Sequence, residues 1–218
     1  MEKVIIFGLG QIAEIAHFYL MEDSPYEVVA FTVDKKYMNK EEFKELPVVP
    51  FEEIEMHFPP NEYKLFIPIS YTQLNKLRAE KYYEGKKKGY TFISYISSKA
   101  TYYNTPIGEN CFILENNVIQ PFTKIGDNVI MWSGNHIGHH STIEDHCFLA
   151  SHIVISGSVL IKPYSFIGVN ATFRDNITVG AENIIGAGAL ILTDTLDGSV
   201  YPGKKTEKFH KTSDQIRL

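Results

Sequence analysis

From Ile107 onward an apolar residue returns at every sixth position: Ile107, Ile113, Ile119, Ile125, Met131, Ile137, Ile143, Leu149, Ile155, Ile161, Ile167, Phe173, Val179, Ile185 and Ile191. The run holds for fifteen positions in a chain that is 44% apolar. Chance would give this roughly once in a hundred thousand draws or less, so the period is structural. A period of six is neither 3.6 nor 2, which excludes one helix or one flat strand. It fits short strands joined at corners, three hexads to a triangular coil. Residues eighteen apart then stack, with coils repeating at ~4.8 Å. The next position is glycine at Gly108, Gly126, Gly138, Gly168, Gly180 and Gly186. The fifth position is small or modest at Cys111, Thr123, Ser141, Cys147, Ser165, Ala171 and Ala189. Large first-position side chains therefore fill a prism, and glycines allow close approach near its corners. A hexapeptide period of this kind predicts a left-handed parallel β-helix.

The front of the chain reads differently. Val4–Phe7 predicts a buried strand, and Gly8 to Met21 a turn leading into a helix. Glu27–Val33 and Leu65–Ile69 predict strands, Thr72–Lys88 a helix closed by Gly89, and Tyr90–Ile96 a further strand. Such alternation implies a small Rossmann-like parallel α/β sheet. The domains are expected at residues 1–97 and 98–196, with a tail at 197–218.

The 218 residues allow one large or two small domains, and the net charge of −5 argues against a nucleic-acid partner. One local basic patch would still suffice for a small anionic substrate. No signal peptide or membrane-length apolar run is read, and the two cysteines make no disulfide framework. The expectation is a cytoplasmic protein without membrane partners.

Gly8-Leu9-Gly10-Gln11-Ile12-Ala13 follows a strand and opens a helix, where backbone N–H groups can approach a phosphate. A tight turn without a ligand has the same pattern. Asp34, ending the second strand, stands where a carboxylate can meet a ribose or sugar hydroxyl. The front segment is too short for a full dinucleotide domain plus a substrate domain, so a mononucleotide or nucleotide-sugar fits better.

His136, His139, His140, His146 and His152 crowd one stretch. His140, His146 and His152 are six apart, so on a three-sided prism they point outward on different faces and cannot converge on one metal within a chain. A zinc site shared between chains stays open, as does a surface position without a role for His146 and His152. His139 follows Ile137-Gly138 and projects near a corner; an imidazole there suits a general base. His140 can orient or tune it, or stand idle. Cys147, at an inward position, reads as core filler rather than a nucleophile.

A short nucleotide-binding α/β unit followed by hexapeptide coils resembles the bacterial sugar acyltransferases. These include bacillosamine and perosamine N-acetyltransferases and the sialic acid O-acetyltransferase family. The resemblance covers nearly the whole chain. It implies an acetyl-CoA-dependent acetyltransferase, without metal, acting on a nucleotide-linked amino sugar in surface glycan biosynthesis. It implies that Asn135-His136-Ile137-Gly138-His139-His140-Ser141 is the catalytic stretch, with His139 as base. An acidic residue often follows that histidine in the family. Here it is His140, which leaves Glu144 or Asp145 as possible basicity partners. The resemblance places a backbone amide at Gly157 near the thioester oxygen, and the CoA groove at Val169 and in the Gly186-Ala187-Gly188 run. Gly10, Gln11, Ile12, Asp34, Lys35, Ile69 and Ser70 match stretches that hold the nucleotide-sugar. Tyr201-Pro202-Gly203-Lys204-Lys205 replaces the family's usual Gly-x-Pro-Ala-Lys ending. The family is homotrimeric, with sites between adjacent columns. The alternatives are O-acetylation of a sialic acid or another sugar hydroxyl, a zinc hydrolyase on the same scaffold, and a non-enzymatic β-helix.

Overall fold

The computed structural model describes residues 1–216. The first unit runs β1 (Lys3–Phe7), α1 (Gln11–Glu22), β2 (Glu27–Val33), β3 (Glu42–Phe43), β4 (Leu46–Pro50), α2 (Ile54–His57), β5 (Tyr63–Phe66) and α3 (Lys76–Lys87). Its sheet order is β3-β4-β2-β1-β5, parallel except for the β3/β4 pair. Val4, Ile5 and Ile6 are fully buried because helices and coils cover both faces of β1. The chain leaves β1 toward β2 and later crosses back to β5 on the other side. The crevice beyond the ends of β1 and β5 is therefore the topological switch point, where open α/β sheets bind ligands.

The β3/β4 hairpin and α2 were not foreseen. Two expected elements are shorter: β5 stops at Phe66, and α3 starts at Lys76 rather than Thr72. The reason for the second lies in Gln73, Leu74 and Asn75, with φ of 52°, 53° and 66°. Three successive left-handed residues cannot extend a right-handed helix. The expected strand Tyr90–Ile96 is also corrected. One bridge joins Phe92 to Leu65, and Tyr95–Ile96 already pairs with Phe112–Ile113 of the coils.

The coils form the predicted left-handed parallel β-helix, with two-residue strands stacked on three faces. The first face runs from Tyr95–Ile96 through Phe112–Ile113, Ile130–Met131, Phe148–Leu149, Phe166–Ile167 and Ile184–Ile185 to Val200–Tyr201. The second runs from Thr101–Tyr102 to Leu190–Ile191 and contains His136–Ile137. The third runs from Lys124–Ile125 to Thr178–Val179. Each strand in the central ladders pairs with residues eighteen away, as Ile137 does with Ile155. The ladder thus starts ahead of residue 98 and takes in Val200–Tyr201, which the sequence assigned to the tail. Inward residues Ile113 through Ile185 are essentially sealed from water. A Cβ on Gly138 would stand 2.5 Å from the Ser156 carbonyl carbon of the next coil, so this position admits only glycine.

Between strands, the fourth residue of each hexad from Ile107 to Ile185 has positive φ. His140 at 58°, His146 at 61° and His152 at 58° all occupy this corner position. Their spacing of six is thereby explained: they stand at three successive corners. Among the described residues no group of three or more His, Cys, Asp or Glu side chains is placed to hold a metal ion. No described helix is long and apolar enough to cross a membrane.

The α/β unit docks on the first face and its flanking corners. Arg78 of α3 is fully buried. Its guanidinium donates to the carbonyls of Ile69 and Ser70 at 3.0 and 3.1 Å, and to those of Asn128, His146 and Cys147 at 3.1 to 3.2 Å. Tyr19 of α1 donates to Glu115 at 2.7 Å, and Asp23, just beyond α1, accepts from Tyr95, Ser97 and the Ser98 backbone.

His146 is 2% exposed, which corrects its reading as a possible surface residue. It belongs to a polar ladder along one corner. The Asn110 amide donates to Asn128 Oδ1 at 2.7 Å, and Asn128 donates to His146 Nδ1 at 2.8 Å. His146 Nε2–H is then left to donate to the Tyr83 hydroxyl at 2.9 Å. Burial pushes the His146 imidazole from 6.5 down to about 4, with lesser help from Arg78. The unfolded chain takes up this proton near pH 6.5 and the folded chain only near 4, so stability declines as pH falls between them. The loss amounts to at most ~3 kcal/mol. Chemical denaturation of wild type between pH 7.5 and 4 should show this decline, and His146→Asn should remove that component. Parallel curves would contradict it.

Candidate active site

His139 and His140 occupy the corner between the second and third faces, immediately after Ile137-Gly138. Both side chains are exposed. The His139 backbone N–H donates to Gln120 Oε1 at 2.9 Å, and its carbonyl accepts from Ser158 N–H at 2.8 Å. The His140 backbone N–H donates to the Pro121 carbonyl, and its ring lies 4.7 Å from that of Phe122. The two imidazoles meet through their Nδ1 atoms at 3.0 Å. Gly157 is one coil above His139. A Cβ there would stand 2.6 to 3.1 Å from three atoms of the His139 ring, so the ring leans over the glycine. Glu144 and Asp145 belong to the following corner, where Asp145 Oδ1 accepts from the Asp127 backbone N–H. They do not bond to His139, which corrects their reading as basicity partners.

Val169 and Ala187 lie at the corner between the first and second faces, stacked with Ser151 beneath them. They line a groove of about 460 Å³ together with Ile12 and Ser70. Thus the first turn of α1, which follows the β1 turn, and the loop after β5 open onto the same groove. Tyr71 packs edge-on against Phe148 and Phe166, at 5.0 and 4.8 Å. Trp132 lines this groove and an adjoining recess of about 840 Å³ that includes Gln11. Ser151, Val169 and Ala187 form a narrow track one coil apart, with small side chains. This shape fits a thin extended group such as the pantetheine arm of CoA.

Gly8 holds a φ of 114° and donates to the Thr32 carbonyl at 2.7 Å, a conformation that favours glycine. Gly10, the cap of α1, has open space where a Cβ would stand. Ile69 contributes through its carbonyl, held by Arg78. Asp34 and Lys35 lie apart from the groove. Asp34 pairs with the largely buried Lys81 at 2.8 Å. Lys35 Nζ pairs with Glu53 at 2.7 Å, while its backbone N–H donates to Glu52 at 2.9 Å.

One chain therefore brings Ile12, Ser70, Val169 and Ala187 together, and separately His139, His140 and Gly157, at two corners of the prism. Sequence reasoning missed Tyr71, Trp132, Phe148, Phe166 and Gln120. A signal existed for one pair: Phe148 and Phe166 are eighteen apart at outward positions, and their rings stack at 5.6 Å.

These features define a hexapeptide-repeat β-helix carrying a small α/β unit whose switch point opens onto the coils. The bacterial transferase hexapeptide (six repeats) family model matches residues 104–139. A histidine-to-asparagine mutant of perosamine N-acetyltransferase from Caulobacter crescentus, solved with CoA and GDP-perosamine, has a TM-score of 0.81 at 23% identity, covering 92% of this chain and 93% of that one. The acetyltransferase domain of PglB from Neisseria gonorrhoeae has a TM-score of 0.80 at 22% identity, covering 93% and 97%. WeeI from Acinetobacter baumannii has a TM-score of 0.78 at 17% identity, covering 92% and 96%. The fold is shared with these structures, in line with the resemblance carried by the hexads and the glycine turn. Among curated relatives, acyl-[acyl-carrier-protein]–UDP-N-acetylglucosamine O-acyltransferase from Nautilia profundicola is 28% identical over 108 residues, 46% of this chain and 42% of the relative. The match thus spans less than half of that relative's length.

Because Gly157 does not have positive φ and its Cβ would meet only the ring of an exposed side chain, Gly157→Ala should leave melting within a few degrees of wild type. It should still displace the His139 ring. Misplacement of a reacting group by about 1 Å costs ~10²-fold. Turnover assays paired with melting curves check this; full turnover in the folded variant would contradict it.

Proposed function

We propose that this chain is an acetyl-CoA-dependent acetyltransferase that acts on a nucleotide-linked amino sugar in surface glycan biosynthesis. The observation that carries the proposal is the exposed His139 ring lying over the backbone of Gly157. A base beside a backbone N–H that can meet an oxyanion is what acyl transfer requires. The structural relatives support the reading: a histidine-substituted variant of the Caulobacter enzyme was solved with both CoA and GDP-perosamine.

In this reading the sugar nitrogen attacks the thioester carbonyl carbon while His139 Nε2 takes its proton. The Gly157 N–H steadies the oxyanion. The C–S bond then breaks, and the proton passes from His139 to the departing thiolate. No covalent enzyme intermediate enters. Cys147 is buried and its thiol is pushed up to about 12 by desolvation, which disfavours a thiolate nucleophile.

The groove and the histidines stand at different corners, so we propose a homotrimer in which one copy's His139 corner faces another's groove. The second face, which joins these corners, leaves Val118, Val154 and Leu190 exposed, an apolar surface suited to assembly. Gly10, Gln11, Ile12 and Ser70 would hold the nucleotide-sugar; Val169 and Ala187 would hold the CoA arm. Supply of acetyl-CoA and nucleotide-sugars makes the cytoplasm the proposed location.

The test is release of free CoA from acetyl-CoA with a panel of nucleotide-linked 4-amino sugars, GDP-perosamine among them, against sialic acids. His139→Ala should keep CoA binding and assembly and lose ~10²–10⁴ in turnover. Undiminished turnover would remove His139 from the mechanism, and acetylation of sialic acids alone would overturn the amino-sugar assignment.

A further inference from the structure

The contact between the two histidine rings specifies more than their proximity. Resting on His139 as base, we infer that His140 is a positioning residue that fixes the tautomer of His139 by accepting a hydrogen bond through a neutral imidazole.

The Nδ1 atoms are 3.0 Å apart, so one proton lies between them. Two arrangements satisfy this. If His140 donates, His139 carries its own proton on Nε2, and the edge over Gly157 holds no lone pair. If His139 donates, its Nε2 lone pair faces the space above Gly157, where a Cβ would come within 2.8 Å of that atom. Only the second arrangement makes a base. His140 must then be neutral with its proton on Nε2.

The surroundings hold the pair in register. His140 sits at a corner residue with φ of 58°, its backbone tied to Pro121 and its ring set against Phe122. His139 is tied by its backbone to Gln120 and Ser158. Gln120, Pro121 and Phe122 below, and Ser156, Gly157 and Ser158 above, bring no charge to the rings. Arg174 and Asp175 lie one coil beyond Gly157; Asp175 accepts from the Asn176 amide. Among the described residues neither ring bonds to a carboxylate.

A neutral acceptor behaves unlike a carboxylate. When His139 takes the substrate's proton on Nε2, its Nδ1–H bond to His140 becomes charge-assisted and strengthens. His140 itself stays neutral throughout, and no second proton moves. Proton uptake by His140 from solvent abolishes its acceptor lone pair. The competent state therefore requires both rings to be neutral, and a proton taken up by either one removes it.

The direct test needs no acceptor substrate. Two-bond ¹H–¹⁵N correlation spectra of the full chain, assigned with His139→Asn and His140→Asn, report which nitrogen of each ring carries the proton. His139 is expected as the Nδ1–H form and His140 as the Nε2–H form. In His140→Ala, His139 should shift toward Nε2–H. In His140→Asn, whose Oδ1 takes the place of Nδ1 and whose backbone tolerates positive φ, His139 should stay Nδ1–H. An Nε2–H form of His139 in wild type, or the same tautomer in wild type and His140→Ala, overturns the proposal.

Kinetics with acetyl-CoA and an accepted amino sugar supply the second arm. His140→Ala should lose about 10²-fold at neutral pH. If His139→Ala is inactive while His140→Ala matches wild type in rate, this inference fails and the base assignment stands. If His139→Ala is fully active, the base assignment itself fails.

Discussion

An eighteen-residue parallel ladder with left-handed corners governs everything else in this chain. Each coil must turn three times in eighteen residues, and each turn places one residue at positive φ. For an L-residue other than glycine this costs roughly 1 to 2 kcal/mol, with asparagine and aspartate the best tolerated. The chain meets the cost with asparagine at Asn110, Asn116, Asn128, Asn170 and Asn176 and with glycine at Gly134 and Gly188. Asn110 and Asn128 then bond to one another along the corner. Paired strands and a sealed aliphatic interior offset the remainder. Because the backbone repeats, side chains at equivalent positions form columns. A corner column is where a ring such as that of His139 can lean over a glycine one coil away.

The α/β unit is attached to this column by polar clamps as much as by apolar packing. Arg78 joins the β5–α3 loop of its own unit to two coils of the helix. Asn110 closes the end of β5 by exchanging hydrogen bonds with Ile67, its Oδ1 accepting at 2.7 Å and its amide donating at 3.2 Å. A buried arginine whose acceptors are all neutral is costly to break, because each freed carbonyl would lack a partner. These clamps fix the switch-point loops over the first face, and the groove results from that docking. Tyr71, on the loop held by Arg78, forms one wall.

Much of this was legible in the sequence. The hexads announced the interior, the glycines announced the close approaches, and Gly8 to Ala13 announced the β1–α1 turn. Part of the corner pattern was legible too, through asparagine at Asn110, Asn116, Asn128, Asn170 and Asn176, yet the histidine spacing was weighed as a ligand pattern. His140, His146 and His152 share a backbone conformation and have different fates: one meets a neighbouring ring, one is buried under Tyr83, and one stays exposed. Periodicity assigns the conformation, whereas the docked unit decides burial, and docking is set by residues as distant in sequence as Arg78 and His146. The start of α3 was misread because Thr72 to Asn75 carries no glycine or proline to mark a break, while the Asn75 side chain bonds to the carbonyls of Tyr164 and Ser165 and fixes a left-handed turn. Asp34 was read as free for a ligand, and Lys81, far along the chain, is its partner.

The central claim is that no single chain completes the site, because the histidine corner and the groove corner are different edges of one prism. Coexpression of two differently tagged variants tests it most directly. One is His139→Ala; the other is Val169→Trp, which fills the groove. Each alone should be nearly inactive with acetyl-CoA and the accepted amino sugar. Mixed trimers should recover about a third of wild-type activity, since one of the three interfaces in each mixed ring pairs an intact histidine with an intact groove. Mixed trimers no more active than the parent variants would contradict a site shared between copies.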